Sequence, residues 1–267
     1  MKTTICLIAS LALSASVHAK LITRSVPYEH NGVKLEGYLA YDDAFSPDGH
    51  GNRALRPGVL IAHEWWGLND YVKSRANQLA GLGYVAFALD MYGAGVATTD
   101  AKTAGELTQQ FRDSPLMAER ARAGLDQLLK TGLVDRSRVA AIGYCFGGTA
   151  VLALAFSGAP LAAVVTFHGG LIPVPPGTET NAKFLICHGA IDPTISKHQL
   201  DTFLTGMNDA KFDYEFISYA GAMHSFSNPE ATELAKMNGL HGIRYNATAD
   251  RRSWANMQTF LREVFRG

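Results

Sequence analysis

Short apolar runs alternate with amphipathic stretches along most of the chain. Apolar runs typical of buried strands occur at residues 58–62, 84–89, 139–142, 162–167, 184–188 and 212–219. Stretches typical of helices, several with a polar residue or proline before them or a glycine after them, occupy residues 70–82, 99–111, 115–130, 149–156, 196–207 and 250–265. Alternation at this spacing predicts an α/β protein with a mostly parallel sheet and helices on both faces.

A hairpin is predicted ahead of this alternation. Residues 25–28 and 33–41 have strand character, and Asn31-Gly32 lies between them. Asn-Gly favours the tight turn of a hairpin because both residues tolerate a positive φ angle. We therefore expect an antiparallel hairpin at the N-terminal end of the sheet.

The first nineteen residues have the pattern of a secretory signal peptide. Lys2 precedes an apolar run at residues 5–15, and Val17-His18-Ala19 resembles a cleavage site. The run is short for a membrane anchor, so we expect cleavage near Ala19 and export to the periplasm or the medium. An uncleaved anchor is the alternative. Residues 20–267 are then predicted to form a single domain.

Composition changes this picture little. Hydrophobic residues make up 47% of the chain, charged residues 18%, and the formal net charge is zero, as in many globular proteins. No basic cluster indicates nucleic-acid binding. The histidines and acidic residues lack the spacing of a metal site, and no cofactor motif is present, so we expect neither metal nor cofactor. We expect a monomer or a small homo-oligomer.

The turn from Gly143 to Gly148 is the strongest candidate for chemistry. It reads Gly-Tyr-Cys-Phe-Gly-Gly and connects a predicted strand to a predicted helix, which is the context of a nucleophile elbow with Cys145 in the nucleophile position. The dipole at a helix N-terminus favours a thiolate. A buried structural cysteine is the alternative interpretation.

Two further polar residues also follow predicted strands. Asp192 and His224 come after Cys145 in the order nucleophile, acid, histidine, which is the order of α/β-hydrolases. A thiol is mostly protonated at neutral pH, so it needs a base; His224 can take its proton, and Asp192 can orient the imidazole. The backbone N–H groups of Phe146 and Trp65 are candidates for an oxyanion hole.

Five blocks of sequence resemble the dienelactone hydrolase family. They are Gly143–Gly148, His63-Glu64 with Gly67-Leu68-Asn69, Asp90-Met91-Tyr92, Gly189 with Asp192, and Gly221 with His224-Ser225-Phe226. The resemblance implies an α/β-hydrolase fold, a Cys-His-Asp triad and hydrolysis of a small ester or lactone through an acyl-enzyme. It also implies that Glu64 contacts the resting thiol and shifts when substrate binds.

The sequence departs from dienelactone hydrolases proper at the substrate carboxylate. The resemblance implies two arginines, one after Tyr92 and one after Phe226, but neither neighbourhood contains arginine. We therefore expect a substrate other than dienelactone, in an aromatic pocket formed by Trp65, Trp66, Tyr92 and Phe226. Arg244, Arg251 and Arg252 are further candidates that the sequence does not place.

Two other functions remain open. A thiol redox or sensor protein would use Cys145 with Cys187, although the chain has no C-x-x-C motif and we expect the two thiols to stay unbridged. A non-catalytic ligand-binding protein on the same fold is the other alternative, although competent residues occupy all three positions of the predicted triad.

Overall fold

A single eight-stranded sheet runs through the part of the chain described by the computed structural model, residues 20–43 and 55–266. The predicted signal peptide lies outside the described residues and stays a prediction. The strands are β1 (Leu21–His30), β2 (Val33–Asp42), β3 (Arg56–Ala62), β4 (Val85–Leu89), β5 (Val134–Tyr144), β6 (Ala163–Phe167), β7 (Lys183–Gly189) and β8 (Tyr214–Tyr219). The helices are α1 (Asp70–Gly81), α2 (Ala101–Gln109), α3 (Leu116–Lys130), α4 (Phe146–Phe156), α5 (Lys197–Asp209), α6 (Ala231–Met237) and α7 (Ala247–Arg266).

The strand order is β1-β2-β4-β3-β5-β6-β7-β8. β1 and β2 form the predicted antiparallel hairpin, with Asn31 (φ 51°) and Gly32 (φ 75°) in the turn. β2 pairs antiparallel with β4, and the six strands β3 to β8 are mutually parallel. This topology confirms the predicted α/β-hydrolase fold. The carboxyl ends of the parallel strands meet at one edge, where open α/β sheets build their sites.

Two apolar layers cover the sheet. Because side chains alternate along a strand, Leu60 belongs to the layer that contains α3, α4 and α5, and its neighbour Ile61 belongs to the layer that contains α1 and α7. The helix α4 is apolar almost all round and contributes most of its length to the first layer, as expected for a helix in the centre of the fold. No helix within the described residues is long and apolar enough to cross a bilayer.

Several element boundaries differ from the sequence prediction. β5 extends back to Val134 because Val134 pairs with Arg56 of β3, a contact between distant residues that local polarity conceals. The helix α6 was not predicted. It has only seven residues, too few for a recognisable period, and Leu234 packs on Trp66. These short elements depend on tertiary packing more than on intrinsic propensity.

Candidate active site

Cys145 lies at the sharp turn between β5 and α4. Its backbone has φ 53° and ψ −118°, a conformation that non-glycine residues adopt rarely. The turn is held from both sides: the N–H of Cys145 donates to the carbonyl of Phe167 at 3.0 Å, and its own carbonyl accepts from the N–H of Gly148 at 2.9 Å. The tertiary contacts therefore impose the strained geometry that presents the thiol at the sheet edge.

Close backbone approach explains two glycines of the turn. A Cβ atom on Gly143 would overlap the carbonyl of Gly147, and one on Gly147 would overlap the carbonyl of Ala62 at the end of β3. The elbow thus packs directly against the segment that enters Trp65. Glycine is required here because any side chain would push these two segments apart.

The structure brings Cys145, His224 and Asp192 together. Sγ of Cys145 lies 3.1 Å from Nε2 of His224, and Nδ1 of His224 lies 2.8 Å from Oδ2 of Asp192. The hydroxyl of Thr194 donates to Oδ1 of Asp192 at 2.7 Å, and the N–H of Thr194 donates to the same oxygen at 2.9 Å. The loop after β7 therefore fixes the carboxylate, which in turn fixes the imidazole.

The charges of this group stabilise one another. Burial alone would lower the pKa of His224, but the charge of Cys145 and the hydrogen bond and charge of Asp192 raise it well above its usual value. Burial would raise the pKa of Asp192, but His224 and Thr194 together lower it below its usual value. The arrangement therefore favours the protonated form of the His224 imidazole.

Glu64 is buried beside this group but contacts a different partner. Its Oε2 accepts a hydrogen bond from Nδ2 of Asn228 at 2.5 Å. Burial raises the pKa of Glu64, and the hydrogen bond from Asn228 and the nearby hydroxyl of Ser225 oppose that effect. The contact with the thiol that the family resemblance implied is not the one seen here, where the thiol faces His224.

Aromatic side chains surround the elbow on the β3 side. The ring of Tyr92 packs on His63 (4.9 Å between centroids) and on Phe146 (5.7 Å), and its hydroxyl donates to the carbonyl of Trp65 at 3.0 Å. Burial and the nearby charge of Cys145 both raise the pKa of Tyr92, which is consistent with a position close to the thiol. Tyr92 and Phe146 thus form one cluster beside Cys145, whereas the ring of Trp65 packs on that of Trp66, with 4.7 Å between centroids.

Trp66 and Phe226, which the sequence suggested as pocket walls, are packed inside the protein. Trp66 is 3% exposed and contacts Ala104 of α2 and Leu234 of α6. Phe226 is completely buried against Tyr219 and His168. Both side chains therefore contribute to the packing of the loops around the site and do not line an open pocket.

His168 is a neighbour of the site that the sequence reasoning missed. Its ring centroid lies 5.5 Å from that of His224, and its Nε2 lies 2.7 Å from Oγ of Ser227. Burial lowers the pKa of His168 well below its usual value. His168 follows β6, and Asp192 and His224 were predicted because they are polar residues that follow strands. The same criterion, applied to Phe167-His168, would have identified His168.

The three arginines that the sequence left unplaced are not among the side chains that contact Cys145, His224 or Asp192 in the described structure. The side chains of Arg244, Arg251 and Arg252 are exposed, although the N–H of Arg244 donates to the carbonyl of His224 at 3.1 Å. Within residues 20–43 and 55–266, no cluster of three or more His, Cys, Asp and Glu residues is arranged to hold a metal ion. The arrangement suits nucleophilic attack by sulfur with proton transfer through imidazole.

Known proteins resemble this chain over most of its length. A model of the Dienelactone hydrolase family matches residues 44–265. A solved structure of a dienelactone hydrolase-like promiscuous phosphotriesterase from metagenomic libraries is 37% identical, with a TM-score of 0.83, and the match covers 91% of this chain and 98% of that one.

Curated relatives agree with this family. An uncharacterised protein of Caenorhabditis elegans is 36% identical over 152 residues, which span 55% of this chain and 92% of the relative. A protein of Saccharolobus solfataricus to which carboxymethylenebutenolidase activity is ascribed is 24% identical over 90% of this chain and 98% of its own length. The chain therefore belongs to the dienelactone hydrolase family and is a hydrolase that acts on ester bonds.

Proposed function

We propose that this protein hydrolyses small carboxylic esters or lactones through a covalent acyl-enzyme on Cys145. The observation that carries the proposal is the continuous chain from Sγ of Cys145 through His224 to Asp192, with distances of 3.1 Å and 2.8 Å. Each residue follows a parallel strand, so the sheet itself positions all three groups. This geometry is the one that nucleophile activation by a neighbouring base requires.

The proposed reaction has two steps. In the first, His224 holds the thiol proton, sulfur forms a bond to the substrate carbonyl carbon, and the carbonyl oxygen becomes an oxyanion. The C–O bond to the alcohol then breaks, and His224 gives its proton to the departing alkoxide. In the second, water attacks the thioester, His224 accepts a water proton, and the C–S bond breaks to release the acid and regenerate the Cys145–His224 pair.

Two backbone N–H groups are proposed to stabilise the oxyanion. The N–H of Phe146 is at the first position of α4, where no carbonyl of the same helix can accept it. The segment entering Trp65 lies against Gly147, which supports the Trp65 N–H as the second donor. Donors held in this way need no reorganisation when negative charge develops on the oxygen.

A neutral substrate fits the residues around the thiol best. Tyr92 and Phe146 cluster beside Cys145, and the positions after Tyr92 and Phe226 have no arginine to bind a carboxylate. A bidentate carboxylate site normally uses a guanidinium group. We therefore propose uncharged esters or lactones with apolar acyl or alcohol groups, and not dienelactone.

The test is hydrolysis of p-nitrophenyl acetate, p-nitrophenyl butyrate and an uncharged lactone by the wild type and Cys145→Ala. We expect the wild type to form an acetyl adduct on the Cys145 peptide, detected by mass spectrometry after rapid acid quenching. Cys145→Ala should lose the adduct and nearly all of the activity. Equal rates in the two proteins would overturn the proposal. Cys187→Ala is the matched control and should retain the wild-type rate.

Phosphotriester hydrolysis is a second candidate activity. It rests on the 37% identity to the promiscuous phosphotriesterase, which this chain matches over 98% of that protein. The same thiol would form a bond to phosphorus while an aryloxide leaves, and water would then displace sulfur. Paraoxon hydrolysis by the wild type and by Cys145→Ala tests it, and an unchanged rate in the variant would contradict it.

A further inference from the structure

Glu64 and Asn228 form a buried pair beside the proposed nucleophile. The side chain of Asn228 is completely buried, Glu64 is 2% exposed, and the two are joined by the hydrogen bond from Nδ2 to Oε2. The other carboxyl oxygen, Oε1, has no hydrogen-bond partner among the described residues. A buried carboxyl group with one unpartnered oxygen is costly, so the short bond to Asn228 has a large influence on its orientation.

The orientation of the Asn228 amide is itself fixed. Oδ1 accepts the N–H of Glu230 at 2.9 Å, which directs Nδ2 toward Glu64. The backbone N–H of Asn228 also donates to the carbonyl of Ser225 at 3.1 Å, closing the loop that follows β8. Asn228 therefore offers Glu64 a neutral donor in a defined direction.

The same loop carries the proposed base. His224 is four residues before Asn228, and the intervening Ser227 is held by Arg75 Nη2, which donates to its carbonyl at 2.7 Å. The backbone of His63, the residue before Glu64, lies against Gly147 of the elbow. One short loop thus positions His224 on the thiol and Asn228 on Glu64.

We propose that Asn228 is a positioning residue that holds the Glu64 carboxyl away from Cys145, so that the thiol is paired with His224 before any substrate binds. This inference rests on the proposed function of Cys145 and His224. In this proposal Asn228 sets the position of the Glu64 carboxyl. The thiol therefore pairs with His224 without the help of any group on the substrate. A substrate without charge can then be attacked as readily as a charged one.

If Glu64 lost its hydrogen bond to Asn228, its carboxyl would compete with His224 for the thiol proton. The titratable and charged groups that face its carboxyl are His224, Arg75, Tyr71 and Tyr144. Without the Asn228 donor, Oε2 would lose its hydrogen bond, as Oε1 already lacks one, and the thiol of Cys145 is a donor at the adjacent elbow. A thiol that donates to Glu64 would no longer give its proton to His224.

The test is the rate at which iodoacetamide alkylates Cys145 at pH 6, measured by peptide mass spectrometry without any ester present. Asn228→Leu keeps the branched shape of the side chain but removes the donor, and we expect the alkylation rate to fall about tenfold, the order expected for the loss of one hydrogen bond. Glu64→Gln combined with Asn228→Leu should restore the rate, because an amide does not compete for the thiol proton. Asn238→Leu, in the loop after α6, is the matched control.

An unchanged rate in Asn228→Leu would overturn the proposal, and so would a lowered rate that Glu64→Gln fails to restore, since that outcome indicates a packing role alone. A measurement on the wild type covers the case in which Asn228→Leu does not fold. The Asn228 side-chain amide proton donated to Glu64 should exchange slowly with solvent in NMR spectra, and rapid exchange would contradict the inference. Neither measurement uses ester hydrolysis. The role of Asn228 and the proposed esterase activity are therefore tested independently.

Discussion

Sγ of Cys145 lies 3.1 Å from Nε2 of His224, although 79 positions separate the two residues in the chain. The contact is possible because β5 and β8 are parallel strands of one sheet, and each residue is in the loop at the carboxyl end of its strand. A positive φ angle occurs at both places: Cys145 has φ 53°, and Ser225, the residue after His224, also has φ 53°. Sharp turns at two strand ends therefore direct the side chains toward each other.

The two described cysteines should differ strongly in reactivity. Cys187 is 1% exposed in β7, and burial raises its pKa to about 12, so its thiol stays protonated at pH 8. Cys145 is partly exposed and paired with His224. We expect iodoacetamide to label Cys145 and spare Cys187 in the native protein, as read by peptide mass spectrometry. Comparable labelling of both, or a disulfide between them, would favour the redox alternative.

Asp192→Asn should reduce kcat/KM for p-nitrophenyl acetate by about 10²–10⁴, because the amide neither stabilises an imidazolium nor enforces the correct tautomer of His224. The change preserves the shape of the side chain, and Thr194 can still contact it. Steady-state kinetics with a thermal-unfolding control provide the measurement. An effect smaller than threefold would exclude Asp192 as the orienting acid.

The stability difference between the wild type and Asp192→Asn should depend on pH. The pKa of Asp192 is lower in the folded protein than its usual value, so its contribution is present above about pH 4 and is lost as pH falls through the folded pKa. The pKa of His224 is raised, so its contribution is complete below about pH 6.5 and is lost at higher pH. Urea unfolding of both proteins at pH 5.5 and 2.5 should show a difference that shrinks at the lower pH. A constant difference would mean that the carboxylate charge does not stabilise the fold.

Gly147→Ala should be strongly destabilising. The new Cβ would overlap the carbonyl of Ala62, which is a backbone group and cannot rotate away. We expect a loss of about 2–3 kcal/mol in the free energy of unfolding, near the upper range for overpacking, together with loss of activity. Gly105→Ala in α2 is the control, since its Cβ meets no atom within 4 Å and should stabilise the helix by up to about 1 kcal/mol. Similar unfolding curves for the two variants would contradict the steric argument.

Arg75 links α1 to α7 through a buried ion pair. Its Nη2 donates to Oδ1 of Asp250 at 2.5 Å, and its guanidinium lies over the ring of Trp254, 4.9 Å from the centroid. Arg75→Ala leaves a largely buried carboxylate without its cationic partner and with only the Tyr245 hydroxyl as a side-chain donor, which we expect to cost about 3 kcal/mol of unfolding free energy in denaturant titrations. Lys197→Ala, which breaks the exposed pair with Asp201, is the comparison and should have little effect. Equal effects would show that burial does not strengthen the Arg75 pair.

The local sequence around Cys145 determined much of the site. The apolar strand, the glycines at 143 and 147 and the following apolar helix together specify a turn at which only a strained conformation fits, and the structure has that turn. Asp192 and His224 could be predicted because a polar residue in the loop that follows a buried parallel strand lies at the carboxyl edge of the sheet. The Asn31-Gly32 turn was equally local, and the hairpin it predicted is present.

Other features required the tertiary structure. Nothing near Asn228 in the sequence indicates that its amide meets Glu64, because that contact joins residues 164 positions apart across two loops. The burial of Trp66 and Phe226 was likewise undetermined, since an aromatic residue beside a site can line it or support it, and only the positions of α2, α6 and β8 decide. The sequence by itself determined the elements and the reactive groups at their ends, because these depend on local propensity and polarity. The partner and exposure of each side chain were decided by the tertiary structure, because they depend on which distant segments pack together.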